Sequence, residues 1–149
     1  MTPNRDEATE KFPVVALAPA VYAADNTPAA VNLTDFQAAT LLLAVGVGGI
    51  TFDGTNKIEF VLTHSDDGTT YTNVGDDDVI KDALCPTTIS NGIVRSLTAA
   101  HAAATVQKLG YVGGKPYTKL LADFSGTHGT GTPIAATWVK ELGFLQGAA

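Results

Sequence analysis

Cysteine is almost missing from this chain. Cys85 stands alone, so no intrachain disulfide can staple the fold, and a lone thiol fits a protein matured in a reducing compartment. Followed by Pro86 and with no basic neighbour, it reads as an inert, half-buried thiol. Charge is also scarce, at 16% of residues, against about 25% in ordinary soluble domains. Lysine and arginine number nine against 15 acidic residues, for a net charge of −6. That excludes the basic stripe a nucleic-acid surface needs, and it opposes docking on an anionic membrane. Long apolar runs are absent too. Leu41–Ile50 is far short of the roughly 20 residues of a membrane span, and it holds Gly46, Gly48 and Gly49. Phe12–Ala24 ends in small residues as a secretory signal would, but its flank is acidic and Pro13 and Pro19 interrupt it, so it is not read as one. His64, His101 and His128 show no metal-ligand spacing and are expected at the surface or at sheet edges.

What is present is alanine, threonine, glycine and valine, in 149 residues, a length that suits one domain. The clearest local signal is Lys57–Val74. Ile58, Phe60 and Leu62 alternate with Glu59, Val61 and Thr63, the period of a half-buried strand. Asp67-Gly68 follows as a narrow-turn pair, and Tyr71 and Thr72 begin a return strand. Further strands are expected over Val14–Ala24, where two prolines exclude a regular helix, and over Val106–Val112. Tyr117–Phe124 should bury Thr118, Leu120, Ala122 and Phe124, and Ile134–Phe144 should close the fold. Gln37–Val47 is apolar at nearly every position and reads as a strand buried on both faces. Val79–Leu84 fits a short strand or one helical turn. Ser96–Thr105, rich in alanine, is the one expected helix. Turn signals stand at Asp25–Pro28, Asp53-Gly54, Gly75–Asp78, Asn91-Gly92 and Gly113–Pro116. Seven to nine short strands without a βαβ rhythm predict an all-β antiparallel sandwich, jelly-roll-like or Ig-like. Residues 1–30 are expected as an extended N-terminal arm and 31–149 as the sandwich, with 1–11 mobile.

No motif assembles a catalytic centre. Gly46–Gly49 lacks the helix that a dinucleotide loop requires, and Gly126–Thr132 lacks the Gly-Lys-Ser/Thr ending of a phosphate cradle. The carboxylates Asp66, Asp67, Asp76, Asp77 and Asp78 match no calcium loop and read as solvated turn residues. Ser65 beside His64 is not a dyad, because neighbours on a strand face opposite ways. Trp138 is expected in the core or at an interface. The surface is poor in the long charged side chains that interfaces exclude, which points to contact with other chains. The segments expected to make that contact are the arm (Phe12, Val14, Val15, Val21, Tyr22), the glycine turn (Val47, Gly48) and the small-residue loop (Thr127, His128, Thr130).

The order of motifs resembles a family. His64-Ser65-Asp66-Asp67-Gly68-Thr69-Thr70-Tyr71-Thr72, then Asp76–Asp78, then Gly110-Tyr111-Val112-Gly113-Gly114-Lys115-Pro116-Tyr117-Thr118-Lys119-Leu120 and a final Ala/Thr-rich strand are similar to small virion proteins of tailed phages and gene-transfer-agent particles. The resemblance spans residues 31–145 and is to the head-decoration or head-spike-base type. His64 stands where that pattern commonly has an acid, and Pro116 interrupts its Lys-Tyr pair. The resemblance implies a non-enzymatic virion component without cofactors or metal, made in the host cytoplasm. Its expected partners are itself, as a homo-oligomer, and the major capsid protein or another virion protein. A carbohydrate-binding sandwich, using Tyr71, Tyr111, Tyr117 or Trp138 as sugar platforms, is the alternative, as is a tail or connector component.

Overall fold

Apolar alternation sets ten strands among residues 8–142, the part of the chain that the computed structural model describes. Numbered in chain order, they lie in two antiparallel sheets. The first sheet runs β1 (Lys11–Tyr22), β10 (Thr132–Glu141), β3 (Ala38–Val45), β8 (Thr105–Tyr111) and β6 (Val79–Ile80). The second runs β2 (Val31–Asn32), β9 (Tyr117–Ser125) and β4 (Lys57–Ser65), whose far edge is shared by β7 (Ile93–Leu97) and β5 (Thr72–Asn73). The fold is an antiparallel β-sandwich.

The core is the layer where the two inner faces meet. From the first sheet come Leu41, Leu43, Val45, Leu109, Ile134 and Trp138; from the second come Ile58, Phe60, Leu62, Leu120 and Ala122. Each set follows the strand period of two, so every second residue is withdrawn from water. Trp138 is fully buried, with Tyr111 set edge-on against it at 6.1 Å between ring centres.

Strand edges are closed by several devices, as an isolated sandwich requires. β1 is the outer edge of the first sheet, and it carries Pro13, Pro19 and two shifts of register against β10. Proline has no N–H to offer an added strand. Beyond the two residues of β2, the edge of β9 is bonded by side chains. The Asn26 amide donates to the Leu120 carbonyl (3.1 Å) and accepts from the Ala122 N–H (2.7 Å), and the Asp25 carboxylate accepts from the Phe124 N–H (2.7 Å). On β8, the Asp82 carboxylate accepts from the Lys108 N–H at 2.9 Å.

Several expectations change. Ser96–Thr105 is not a helix: Ile93–Leu97 is strand β7, and an irregular segment leads from it into β8. The alanines favour helix, but Ala99, Ala100, Ala102 and Ala103 are all exposed, so a helix there would have no apolar face to bury. The narrow hairpin at Asp67-Gly68 is instead a wider loop, with only Thr72–Asn73 returning as strand. The Asp67 carboxylate accepts the N–H groups of Thr69 and Thr70 and the Ser65 hydroxyl, which organises that loop and holds its own pKa down at about 2. Gln37–Val47 buries one face only, since Thr40, Leu42 and Ala44 are half-exposed. Val14–Ala24 is extended as expected, as strand β1 on the sheet. Val79–Leu84 yields the two-residue strand β6. Residues 1–7 of the expected mobile segment, and the end of Ile134–Phe144, lie outside the described residues.

Candidate functional site

The expected contact residues divide by the side of the sheet they occupy. On β1, Val15 and Val21 point away from the core and are 55% and 61% exposed. Val14, opposite Trp138 in register, packs half-buried against the core. Phe12 sets its ring edge-on to Phe36, and the Tyr22 hydroxyl donates to the Ala18 carbonyl. The remaining segments gather at one end of the sandwich. Gly49 donates to the Thr132 hydroxyl, the Gly48 N–H to the His101 carbonyl, and Gly131 sits against the Tyr22 carbonyl. Gly131 has φ +90°, and a Cβ there would lie 2.5 Å from that oxygen, so glycine is required. Val47, Thr127 and Thr130 are exposed at this end.

His128 is a correction. Expected as a contact residue in a loose loop, it is 3% exposed, packed edge-on to Phe124 at 4.8 Å and near Phe52. Its Nε2–H donates to the Ser125 carbonyl at 2.7 Å and pins the loop to the core. His64 is a second correction to the expectation of surface histidines. It follows Ile58, Phe60 and Leu62 on the inward face of β4 and is 4% exposed. The Lys115 N–H donates to the Tyr111 hydroxyl (3.1 Å), and that hydroxyl is hydrogen-bonded to His64 Nδ1 (2.8 Å). His64 Nε2 faces the Asp78 carboxylate at 3.9 Å. Burial lowers the His64 pKa below its ordinary value and raises that of Tyr111. This contact joins the two sheets across the core, Tyr111 on β8 to His64 on β4.

Two of the aromatic residues weighed as sugar platforms, Trp138 and Tyr111, are core residues. A third, Tyr71, has the Lys119 ammonium over its ring at 4.3 Å. Among the described residues, no group of three or more His, Cys, Asp or Glu side chains is placed to hold a metal ion, and no helix is long and apolar enough to cross a membrane.

The largest unsatisfied feature is the outer face of the first sheet. Register places Pro13, Val139, Thr40, Gly110 and Ile80 side by side in one row. The next row holds Val15, Thr137, Leu42 and Lys108, then Ala135, Ala44 and Val106, then Val21 beside Pro133. Ile80 and Val106 are 63% and 64% exposed. Lys108 is the one charged side chain in these rows; Lys11 and Glu141 pair with each other at the margin. Between Val21, Ala44, Val106 and Pro133 the face sinks into a depression of about 470 Å³. Contiguous apolar patches of this kind mark interaction surfaces. Sequence reasoning found Val15 and Val21 but missed Leu42, Ile80, Val106 and Val139. The signal lay in β3 itself: Thr40, Leu42 and Ala44 alternate with Leu41, Leu43 and Val45, and neither set carries a charge. An antiparallel strand with one wet face normally alternates apolar with polar residues.

The molecule is thus an all-β sandwich with one largely apolar outer face that carries a single lysine. No family model, no curated protein and no solved structure matches the chain.

Proposed function

We propose that this chain is a non-enzymatic structural protein of a tailed-phage virion, of the head-decoration or head-spike-base type, which binds the capsid as a homo-oligomer. The observation that carries the reading is the outer face of the first sheet, where Val15, Leu42, Val106, Val139 and Ile80 lie with a single lysine among them. Such a face is costly to leave in water, at about 25 cal/mol for each Å² of apolar surface, and covering it by neighbouring chains removes that cost. The prolines on β1 and the side-chain bonds along β9 and β8 add support, because they oppose strand addition at those edges. The order of hairpin, acidic segment and Gly-Tyr motif, which resembles the virion family, supplies the particle context. The buried histidines have structural partners, which fits a role without catalysis.

Mass spectrometry and cryo-electron microscopy of particles from the phage that encodes the chain test this reading. The expected result is a protein present in many copies, with matching density on the head. Particles that lack it, or that carry it only on the tail, overturn the head assignment.

A further inference from the structure

We infer that the outer face of the first sheet is occupied by the same face of a second copy, related by a twofold axis passing close to Leu42. This rests on the reading of the chain as an assembling structural protein and names the partner at that surface. Three observations select a second copy.

The first is size. With strands about 4.8 Å apart and same-face residues about 6.8 Å apart, each position covers about 33 Å², and the 14 residues of these rows cover roughly 460 Å². Two such faces bury about 900 Å², the size of a weak, reversible interface.

The second is relief. Val15, 55% exposed, and Leu42, half-exposed, share one row, while the depression of about 470 Å³ lies beside them over Ala44, Ala135 and Pro133. A face that carries both a ridge and a hollow can complement a copy of itself. Gly110, Ala44 and Ala135 let a second sheet approach to about 10 Å, the ordinary spacing of stacked sheets.

The third is charge. The face carries no charge pattern that a differently charged partner would read. Lys108 lies in the next-to-last column, and its flexible stem can carry the ammonium to the rim. An isologous pair also closes on itself, so the apolar face is consumed without forming a filament.

The edges of β1, β9 and β8 disfavour the main competing geometry. Pro13 and Pro19 on β1, and the side-chain bonds that occupy β9 and β8, oppose pairing by strand addition.

Sedimentation equilibrium of the purified full chain between about 1 and 100 μM tests the proposal, alongside the double variant Leu42→Lys/Val106→Glu. The expected result is a wild-type dimer and a variant that stays monomeric at least tenfold higher in concentration, with an unchanged β-type circular dichroism spectrum. As a second readout, Leu42→Cys should form a covalent dimer under mild oxidation, with the wild-type chain and its Cys85 as control. A wild-type monomer throughout, a dimer indifferent to the double variant, or a ring of three or more copies each overturn the twofold pairing. Co-sedimentation with capsids separates this from the wider reading. A monomer that binds capsids through the same face keeps the virion role and removes the pair. A face-dependent dimer that ignores capsids and is missing from particles keeps the pair and removes the virion role.

Discussion

Trp138 and His64 share the layer between the sheets, yet they resist change for different reasons. Trp138 is fully buried and its indole N–H has no partner among the described residues, so its contribution is volume and dispersion contact. Trp138→Ala should cost about 3–5 kcal/mol of unfolding free energy, read from urea midpoints. Trp138→Phe should cost clearly less, because no hydrogen bond is lost with the indole. Equal losses would mean that the N–H carries the stability. His64 acts through protonation. Its folded pKa lies below the unfolded value of 6.5, chiefly through burial, with Lys115 lowering it further and Asp78 and Asp66 opposing. The unfolded chain therefore binds the proton first, and stability rises with pH across this window. The contribution is present in full above about pH 6.5 and drains away as the pH falls through the lower folded value. His64→Gln should flatten the urea midpoint between pH 7.5 and 5.5 relative to wild type; parallel slopes would remove His64 from the account. The alternation that turns Ile58, Phe60 and Leu62 inward extends to His64, whereas His128 was not legible, because it lies in the loop between β9 and β10 and packs against Phe124 and Phe52.

At the scale of the element, the edge of β9 offers the sharpest test. Asn26 bonds two backbone groups of β9 and stands in for a neighbouring strand over Leu120–Ala122. Asn26→Ala should remove both bonds and cost about 1–3 kcal/mol. Hydrogen exchange at Ala122 should accelerate while that of Leu41 and Leu109, deep in the other sheet, holds; uniform acceleration would contradict a local edge effect. Asn26 was readable as a turn residue and no further, since its bonding partners lie 94 and 96 positions along the chain. The long strands were legible from their period: β4 buries the residues the alternation selects, and β9 buries Thr118, Leu120 and Ala122 with Phe124 half-buried. Ser96–Thr105 was misjudged because alanine propensity is a local preference, and the segment has nothing to pack against.

For the whole molecule, the two ends of the described chain meet: Lys11 lies in register with Glu141, and β1 runs beside β10 through Tyr22 and Thr132. β10 is thereby interior to its sheet, and Ala16 and Leu17 are buried with the core. Deleting residues 1–22 should uncover the full edge of β10 and the flank of Trp138. The expected outcome is a chain that forms insoluble aggregates or melts at least 10 °C lower, consistent with a loss of several kcal/mol. A truncated chain as stable and as soluble as the original would make the N-terminal segment a separable arm. The outer face of the first sheet also belongs to this scale. The uniform apolarity of Gln37–Val47 suggested burial on both sides, and one protomer covers only one of them. The pairing proposed above would cover the other.

By itself the sequence determined the class: period-two alternation, Asx and glycine turns, and the want of any helical apolar stripe leave a sandwich of strands, because those patterns act through neighbouring residues. Which strands became neighbours was decided only in the tertiary structure. That choice brought β10 between β1 and β3, turned His64 toward Tyr111, and gathered Val15, Leu42, Val106 and Ile80 onto one face. Strand order depends on contacts between residues far apart along the chain, and local preference carries no record of them.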